Sequence, residues 1–429
     1  MFFDQQFCNF AALETLPLMS YSFYQRLHHR FRFQQEFARN YSPLYTAVFG
    51  VVADWFEADP DDLVVKWLLR AGNGRSAFDV PLLLVAGLHR DVLMDIPAAA
   101  ELAGFYPSVG GVATANRLFG AELYDENIPS MAGYPKPSSR LQAALRSTVL
   151  DRRDALAEFI QTFTVQTNET GRGIVWLLPL LLSNWEVVHL VDLGASAGLN
   201  LIADQRSFEF FDHNGRSLTT IGQGHPGQFA IDIASGILPE LPQARGLPRI
   251  LSRTGCDLFP FRLETAVDEQ TLAAFIWPDQ VSRLQRLREG ITAFHQVQQG
   301  TAPVDLHPVN LPDELLSFLQ KTIPSTSHPL ILYNTFISMY LAKRGVVLRE
   351  VIHTWAEQQP RPVLWVQWEP MKNLGGDAAE PQFGWLLWLA DYWENGVHSQ
   401  WCFGWTHPHG HHLEFLPGIT QWAENNAKT

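Results

Sequence analysis

Apolar positions follow two different periods in the two parts of this chain. Over residues 1–160 they recur at helical spacing: Tyr24, Leu27, Phe31 and Phe37 line one stripe, with Arg26, His29, Arg30 and Arg39 between them. The basic residues read as the solvated face that the period demands. Further apolar segments at 44–56, 63–69 and 81–94 are separated by the breakers Asp59-Pro60 and Gly72-Asn73-Gly74. Tyr134-Pro135-Lys136-Pro137-Ser138-Ser139 reads as a linker, with Ser138 or Ser139 placed to cap a helix over 141–163.

From about residue 185 the pattern changes. Short apolar runs at 187–191, 250–256, 330–333 and 362–366 read as buried strands, and 278–297 and 344–357 as helices between them. That alternation predicts a mostly parallel sheet with helices on both faces. Pro278 suits the first helical position and Asp279 the positive end of its helix. Segments 385–392 and 399–405 bracket Glu394-Asn395-Gly396, which predicts an antiparallel hairpin closing the sheet edge. The expected organisation is a helical N-terminal region, 1–160, followed by an α/β domain, 161–429.

Composition narrows the class. With 429 residues, 46% of them hydrophobic, the chain has material for two or three cores and is not a disordered tail. Its 44 acidic against 31 basic residues give a net charge of -13, which works against a nucleic-acid partner. Cys8, Cys256 and Cys402 form no CxxC pair, so neither a structural metal site nor a redox dithiol is indicated. The first residues lack the basic head and apolar run of a signal peptide. The most apolar stretches, 81–88 and 174–182, fall short of the roughly 20 residues of a membrane span. The expectation is a soluble cytoplasmic protein without a membrane partner; oligomeric state is not legible.

The chemistry concentrates in Val188-His189-Leu190-Val191-Asp192-Leu193-Gly194-Ala195-Ser196-Ala197-Gly198-Leu199-Asn200. It reads as a buried strand, an acidic end, a small-residue turn and a helix start, the place where open α/β folds bind ligands. A dinucleotide fingerprint would need glycines where Ser196 and Leu199 stand, and a P-loop would need a lysine after Gly198. The order acidic-x-Gly-x-small-x-Gly instead resembles the first motif of class I S-adenosylmethionine-dependent methyltransferases. That likeness implies that Asp192, Gly194, Ala195, Ser196, Gly198 and Asn200 hold the methionine half of the cofactor. The plain alternative is a tight turn without a ligand.

Further segments carry a wider resemblance. Gln166-Thr167-Asn168-Glu169 with Arg172, Gly194 to Leu201, Arg253-x-Gly255-x-Asp257-x-x-Pro260, Trp277-Pro278-Asp279 with Arg283, and His407-Pro408-His409-Gly410 resemble the bacterial DUF2332 family. So do Ser42-Pro43-Leu44-Tyr45 and Phe105-Tyr106-Pro107-Ser108. The resemblance implies an α/β fold with a Rossmann-like, class I methyltransferase-type sheet behind a helical N-terminal region, and S-adenosylmethionine as cofactor. It implies no substrate.

Methyltransferases usually place a ribose-binding carboxylate one βα unit beyond the glycine turn. Here 207–221 reads as an inserted hairpin turning at His213-Asn214-Gly215, so Asp257 is the ribose candidate, with Asp204 and Asp212 as rivals. A carboxylate capping a loop is the competing reading. Asp305 is a candidate for the adenine amino group. Gln166, Asn168 and Glu169 read either as a helix start, with Thr167 or Asn168 as cap, or as part of the cofactor pocket.

Methyl transfer requires alignment more than a dedicated nucleophile. Asn334, Glu369, His407 and His409 are the catalytic candidates. Asn334-Thr335-Phe336-Ile337 lacks the prolines of adenine-N6 enzymes. His407, His409, His411 and His412 invite a metal reading, but Pro408 and Gly410 describe a turn, so no metal is expected and acid/base service or turn packing remains. Trp365, Trp368, Trp385 and Trp388 read as core. The resulting expectation is a methyltransferase acting on a small molecule. Its rivals are a non-catalytic cofactor-binding protein whose helical region holds a partner, and a nucleotide- or NAD-dependent enzyme.

Overall fold

The computed structural model describes residues 22–39, 41–109, 123–129, 135–166, 169–224, 229–241, 247–341, 344–374, 380–382 and 384–427. They fall into two compact units: one from Asn9–Asn168 with Leu263–Arg288, the other from Glu169–Arg262 with Glu289–Thr429.

The first unit is helical. Its helices include Phe23–Ala38, Pro43–Ala58, Leu63–Ala71, Asp79–Leu93, Ser139–Asp151, Arg153–Thr162 and, from the later segment, Ala266–Ala274. Starts are chemically marked: Ser22, Ser42, Asp62 and Ser138 each accept a hydrogen bond from a first-turn backbone N–H. Leu27, Phe31, Val48, Phe49, Leu84 and Phe159 belong to one buried cluster. The later segment is tied in by particular contacts. The Trp277 ring packs against Phe37 and Tyr45, the Ser42 hydroxyl donates to the Asp279 carboxyl, and His89 bridges Ala274 O at 3.1 Å and Ser108 Oγ at 2.8 Å. Burial pushes the Asp279 carboxyl up to about 6.

Several local expectations are corrected here. Arg30 is buried, with its guanidinium over the Phe33 and Phe78 rings, so that stripe is not wholly solvated. The helix expected over 141–163 is divided at Arg152. The expected linker contributes Pro135–Pro137, which pairs antiparallel with Tyr124–Pro129 (β2 and β1). Pro278 and Asp279 precede a helix that begins at Val281.

The second unit is mixed α/β around an eleven-stranded sheet. Its strands are β3 (Val187–Leu193), β4 (Ser207–Phe211), β5 (Ser217–Gly222), β6 (Phe229–Ser235), β7 (Arg249–Asp257), β8 (Val304–Pro308), β9 (Leu330–Thr335), β10 (Val363–Glu369), β11 (Leu386–Glu394), β12 (Val397–Thr406) and β13 (His412–Phe415). The order across the sheet is β5-β4-β6-β13-β12-β11-β10-β9-β3-β7-β8. Five successive strands, β8-β7-β3-β9-β10, are mutually parallel, and chain order reverses between β3 and β9. β3, β9 and β10 are nearly continuous apolar runs, as strands covered on both faces must be. Trp365, Trp368, Trp385 and Trp388 are buried.

The β11–β12 hairpin forms where expected, but it does not close an edge. It lies inside the sheet, and β13, β6, β4 and β5 continue beyond it. The inserted β4–β5 hairpin forms the outer edge. Among the described residues no helix is long and apolar enough to cross a membrane.

Close strand packing makes one glycine indispensable. A Cβ on Gly404 of β12 would lie 2.2 Å from the backbone oxygen of Glu414 on β13. Gly404→Ala is expected to lower stability by about 2–3 kcal/mol in urea unfolding. Gly345→Ala, in open space on helix Arg344–Ala356, is expected to be neutral or to stabilise by about 0.5–1 kcal/mol.

Candidate functional site

β3 delivers Asp192 and then Gly194 to the carboxyl edge of the parallel strands, next to the point of chain reversal. The turn runs through positive φ at Gly194 (91°), Ser196 (50°) and Gly198 (74°), which glycine adopts freely and serine does not. Its amides are held by the neighbouring strand. Gly194 N and Ala195 N both donate to Cys256 O, at 2.8 and 2.9 Å, and Ser196 N donates to Asp257 Oδ2 at 3.0 Å. Asp257 Oδ1 also accepts from Phe259 N at 3.0 Å. The half-buried Asp257 thus caps two loops at the end of β7, the competing reading of this carboxylate, and both oxygens are reached by backbone amides.

The turn leads into a 3-10 helix, Leu199–Gln205, kinked at Ile202, where the sequence suggested an ordinary helix start. Two short turns of this kind are weak alone. They are fastened by a buried fork: Arg253 Nη1 and Nη2 donate to Asp204 Oδ1 and Oδ2 at 2.7 and 2.6 Å, and Nη1 also to Leu201 O. Asp204 therefore belongs to the scaffold of the turn. Trp176 Nε1 donates to Asn200 O at 2.8 Å, while Asn200 Oδ1 is buried without a hydrogen-bond partner among the described residues.

Burial pushes the Asp192 carboxyl up to about 7, with the Asp257 charge adding to the shift and Tyr333 opposing it. The Tyr333 hydroxyl lies beside Asp192 and is buried, without an aligned hydrogen bond.

The same edge collects the other candidates. At the end of β10 Glu369 is buried and accepts from Asn334 Nδ2 (2.7 Å), Ile337 N (2.9 Å), Ser338 N (3.2 Å) and Ser338 Oγ (2.5 Å). Burial raises its pKa, and these donors act in the opposite direction. Asn334 Oδ1 accepts from Trp365 Nε1 at 2.7 Å. Asn334 and Glu369 thus stitch the turn after β9 to the end of β10. In that turn Phe336 has φ 65°, an outlier for a bulky residue. Ile337 roofs Gly194, where a Cβ would come within 2.2 Å of its Cγ2.

Beyond β12, His407 is buried and its imidazole is pushed down to about 3 by burial and by His411, His412 and Arg172. His407 Nδ1 accepts from His409 N at 3.2 Å, and His409 Nδ1 lies 3.6 Å from Glu169 Oε2. Arg172 Nε donates to Pro408 O at 2.9 Å, and its guanidinium covers the Phe336 ring. Glu169 caps the 3-10 turn Thr170–Gly173. Gln166 belongs to the helical unit, where its amide donates to Thr164 Oγ1 at 3.1 Å, and Thr167 and Asn168 lie outside the described residues. Asp212 serves the β4–β5 turn, accepting from Asn214 N and Arg216 N. Asp305 is exposed beside His307. Tyr333, Ile337 and Ser338 were not among the site residues read from the sequence, because the pairing of β9 with β3 and β10 brings this segment beside the glycine turn and Glu369.

A family model described as "Uncharacterized protein conserved in bacteria (DUF2332)" matches residues 28–125 and 121–415. No curated protein and no solved structure matches the chain. The chain belongs to this family.

The fork and the buried carboxyl each give a measurable consequence. Asp204→Ala leaves Arg253 charged and buried and is expected to cost about 3–5 kcal/mol in denaturant unfolding. For Asp192 the folded pKa lies above the unfolded one, so its stabilising contribution is complete below pH ~4 and lost as pH rises through about 7. Wild type minus Asp192→Asn should therefore show stability falling by about 2–3 kcal/mol between pH 5 and 8. A difference curve flat in pH would refute the assignment.

Proposed function

We propose that this member of the family is a class I-type S-adenosylmethionine-dependent methyltransferase acting on a small-molecule acceptor. The observation that carries the reading is a positive-φ glycine turn at the carboxyl end of β3, where the order β8-β7-β3-β9-β10 reverses. Open α/β sheets of this order bind nucleotide-type ligands there. The motif spacing departs from the phosphate-binding fingerprints and resembles the first motif of S-adenosylmethionine-dependent methyltransferases, which favours an adenosyl cofactor without phosphates.

The residues at the turn fit such a group. The unpartnered, buried Asn200 Oδ1 requires a donor, which an ammonium or a ribose hydroxyl supplies. The half-buried Asp257 carboxylate retains lone pairs beyond its two backbone donors. Admission of the cofactor requires the Phe336–Ile337 turn to move off Gly194, and the unfavourable φ of Phe336 is consistent with a turn that has a second arrangement.

The cofactor supplies a methyl group already activated on a sulfonium. The chain's own residues align the acceptor, exclude water and manage a proton. Asn334 and Glu369 hold the turn after β9 in the arrangement that covers Gly194. Asp192, with its carboxyl near neutrality, is suited to hold or release a proton, whereas His407, pushed down to about 3, is a poor base. A binding-only protein is the second reading, favoured by the internal hydrogen bonds of Asn334 and Glu369.

Calorimetric titration with S-adenosylhomocysteine tests the proposal. Wild type should show saturable binding, weakened about 5–30-fold in Asn200→Ala and in Asp257→Asn, the loss of one hydrogen bond each. No heat and no rise in melting temperature would remove the adenosyl cofactor, and stabilisation by NADH instead would move the protein to another class. Binding without release of labelled methyl across a metabolite panel would favour the binding-only reading.

A further inference from the structure

A second cluster of side chains lies away from the glycine turn. Asp391 of β11 stands opposite Trp365 of β10 and Gln400 of β12, and His398, the second residue of β12, lies across from Trp393. Trp365 is the third residue of β10, so this level of the sheet is towards the amino ends of the parallel strands. His353, from helix Arg344–Ala356, completes the group. The nearest donor atoms of His353, Asp391 and His398 all lie within 4.8 Å of one another. His398 Nε2 is 2.9 Å and His353 Nε2 4.0 Å from Asp391 Oδ1.

The surroundings organise the group. The Asp391 side chain is 2% exposed, against 35% for His353 and 34% for His398. Its carboxylate is oriented by two neutral amides, Gln400 Nε2 at 2.8 Å from Oδ1 and Gln367 Nε2 at 3.3 Å from Oδ2. Trp393 supports both imidazoles, stacked on His398 and edge-on to His353, each at 4.8 Å between centroids. No Lys or Arg ion pair to Asp391 occurs among the described residues, so the charge of this buried carboxylate calls for another cation. A cleft of about 450 Å³ opens beside His353 and Asp391, lined also by Gln400, Arg349, Glu350 and Glu357. Glu350 and Glu357 stand three and four residues from His353.

We propose that His353, Asp391 and His398 form a binding site for a divalent first-row transition ion of the zinc or cobalt type. Two imidazoles and a carboxylate are the donors such ions take, and amide-held carboxylates of this kind are what orient metal ligands. Metal–ligand bonds of about 2.0–2.2 Å put tetrahedral donors about 3.3 Å apart. The present separations of 2.9 and 4.0 Å bracket that value. Small movements of two partly exposed rings reach it while the carboxylate stays fixed. Three protein ligands leave at least one position towards the cleft for water or an exchangeable ligand. The site is independent of the proposed methyl transfer.

The test is titration of the chelator-treated full chain with cobalt(II), read by its visible ligand-field bands, with zinc(II) as competitor. Wild type should bind a single saturable equivalent that zinc displaces. His398→Ala and His353→Ala should lose the bands, and Gln400→Leu should weaken binding by about 10–100-fold. The double variant His411→Ala/His412→Ala should match wild type. No saturable bands in wild type would overturn the proposal, because the group would then be imidazoles hydrogen-bonded to a carboxylate. Binding that follows His411 and His412, or that survives loss of His398, would overturn it equally. Circular dichroism of each variant confirms that a lost band is not a lost fold.

Discussion

The geometry of the candidate site depends on a buried ion pair. The chain leaves β3 through three unfavourable or glycine-favoured conformations at alternate positions, 194, 196 and 198, and then makes only two kinked 3-10 turns. Nothing in so short a helix would hold those dihedrals. The bidentate contact of Arg253 with Asp204, reinforced by Leu201 O, fixes the far end of that segment to β7. With that end fixed, Gly194 and Ala195 can share the Cys256 carbonyl, and Ser196 falls on Asp257. A buried pair of this kind adds little net stability over an apolar substitute, yet losing one partner is costly. Its role here is positional: both charges are compensated in this loop conformation.

The rest of the edge is fixed by a second buried acid that works differently. Glu369 collects donors from β9, from two backbone amides and from a hydroxyl. It fastens the turn after β9 over the glycine turn without any cation. Side chains that a sequence places far apart, at 192, 257, 334, 369 and 407, therefore end on one rim because each stands at or just past the carboxyl end of a strand running in the same direction, β12 included although it pairs antiparallel with its neighbours. In such sheets the carboxyl ends share a side, so residues at strand ends converge whatever their separation in sequence.

What the sequence made legible follows the range of the interactions involved. β3, β9 and β10 are nearly continuous apolar runs, and the cap at Ser138 and the β4–β5 turn depend on residues within a few positions of one another. Strand order does not. The hairpin at Glu394-Asn395-Gly396 was readable, but not its place inside the sheet, because β13, β6, β4 and β5 are recruited by long-range pairing. Pro135–Pro137 has linker composition and becomes a strand only because Tyr124–Pro129 lies beside it. Arg30 looked solvated because periodicity reports a face and not the rings of Phe33 and Phe78 that meet it. His353, Asp391 and His398 share no motif spacing, and a helix and two strands must pack before they meet.

β10 joins these two regions. Trp365, Gln367 and Glu369 alternate onto one face of the strand, and each holds a partner: Asn334 by the indole, Asp391 by the amide, and Asn334 with the Ile337–Ser338 turn by the carboxylate. The strand is buried throughout, so none of the three can turn away to water. A shift of β10 by one residue would send all three side chains to the opposite face and dissolve both arrangements together. Polar residues at alternate positions of an otherwise apolar central strand would be a liability without partners. With them, they set the register that places the glycine turn at one end of the sheet and the histidine–aspartate group nearer the other.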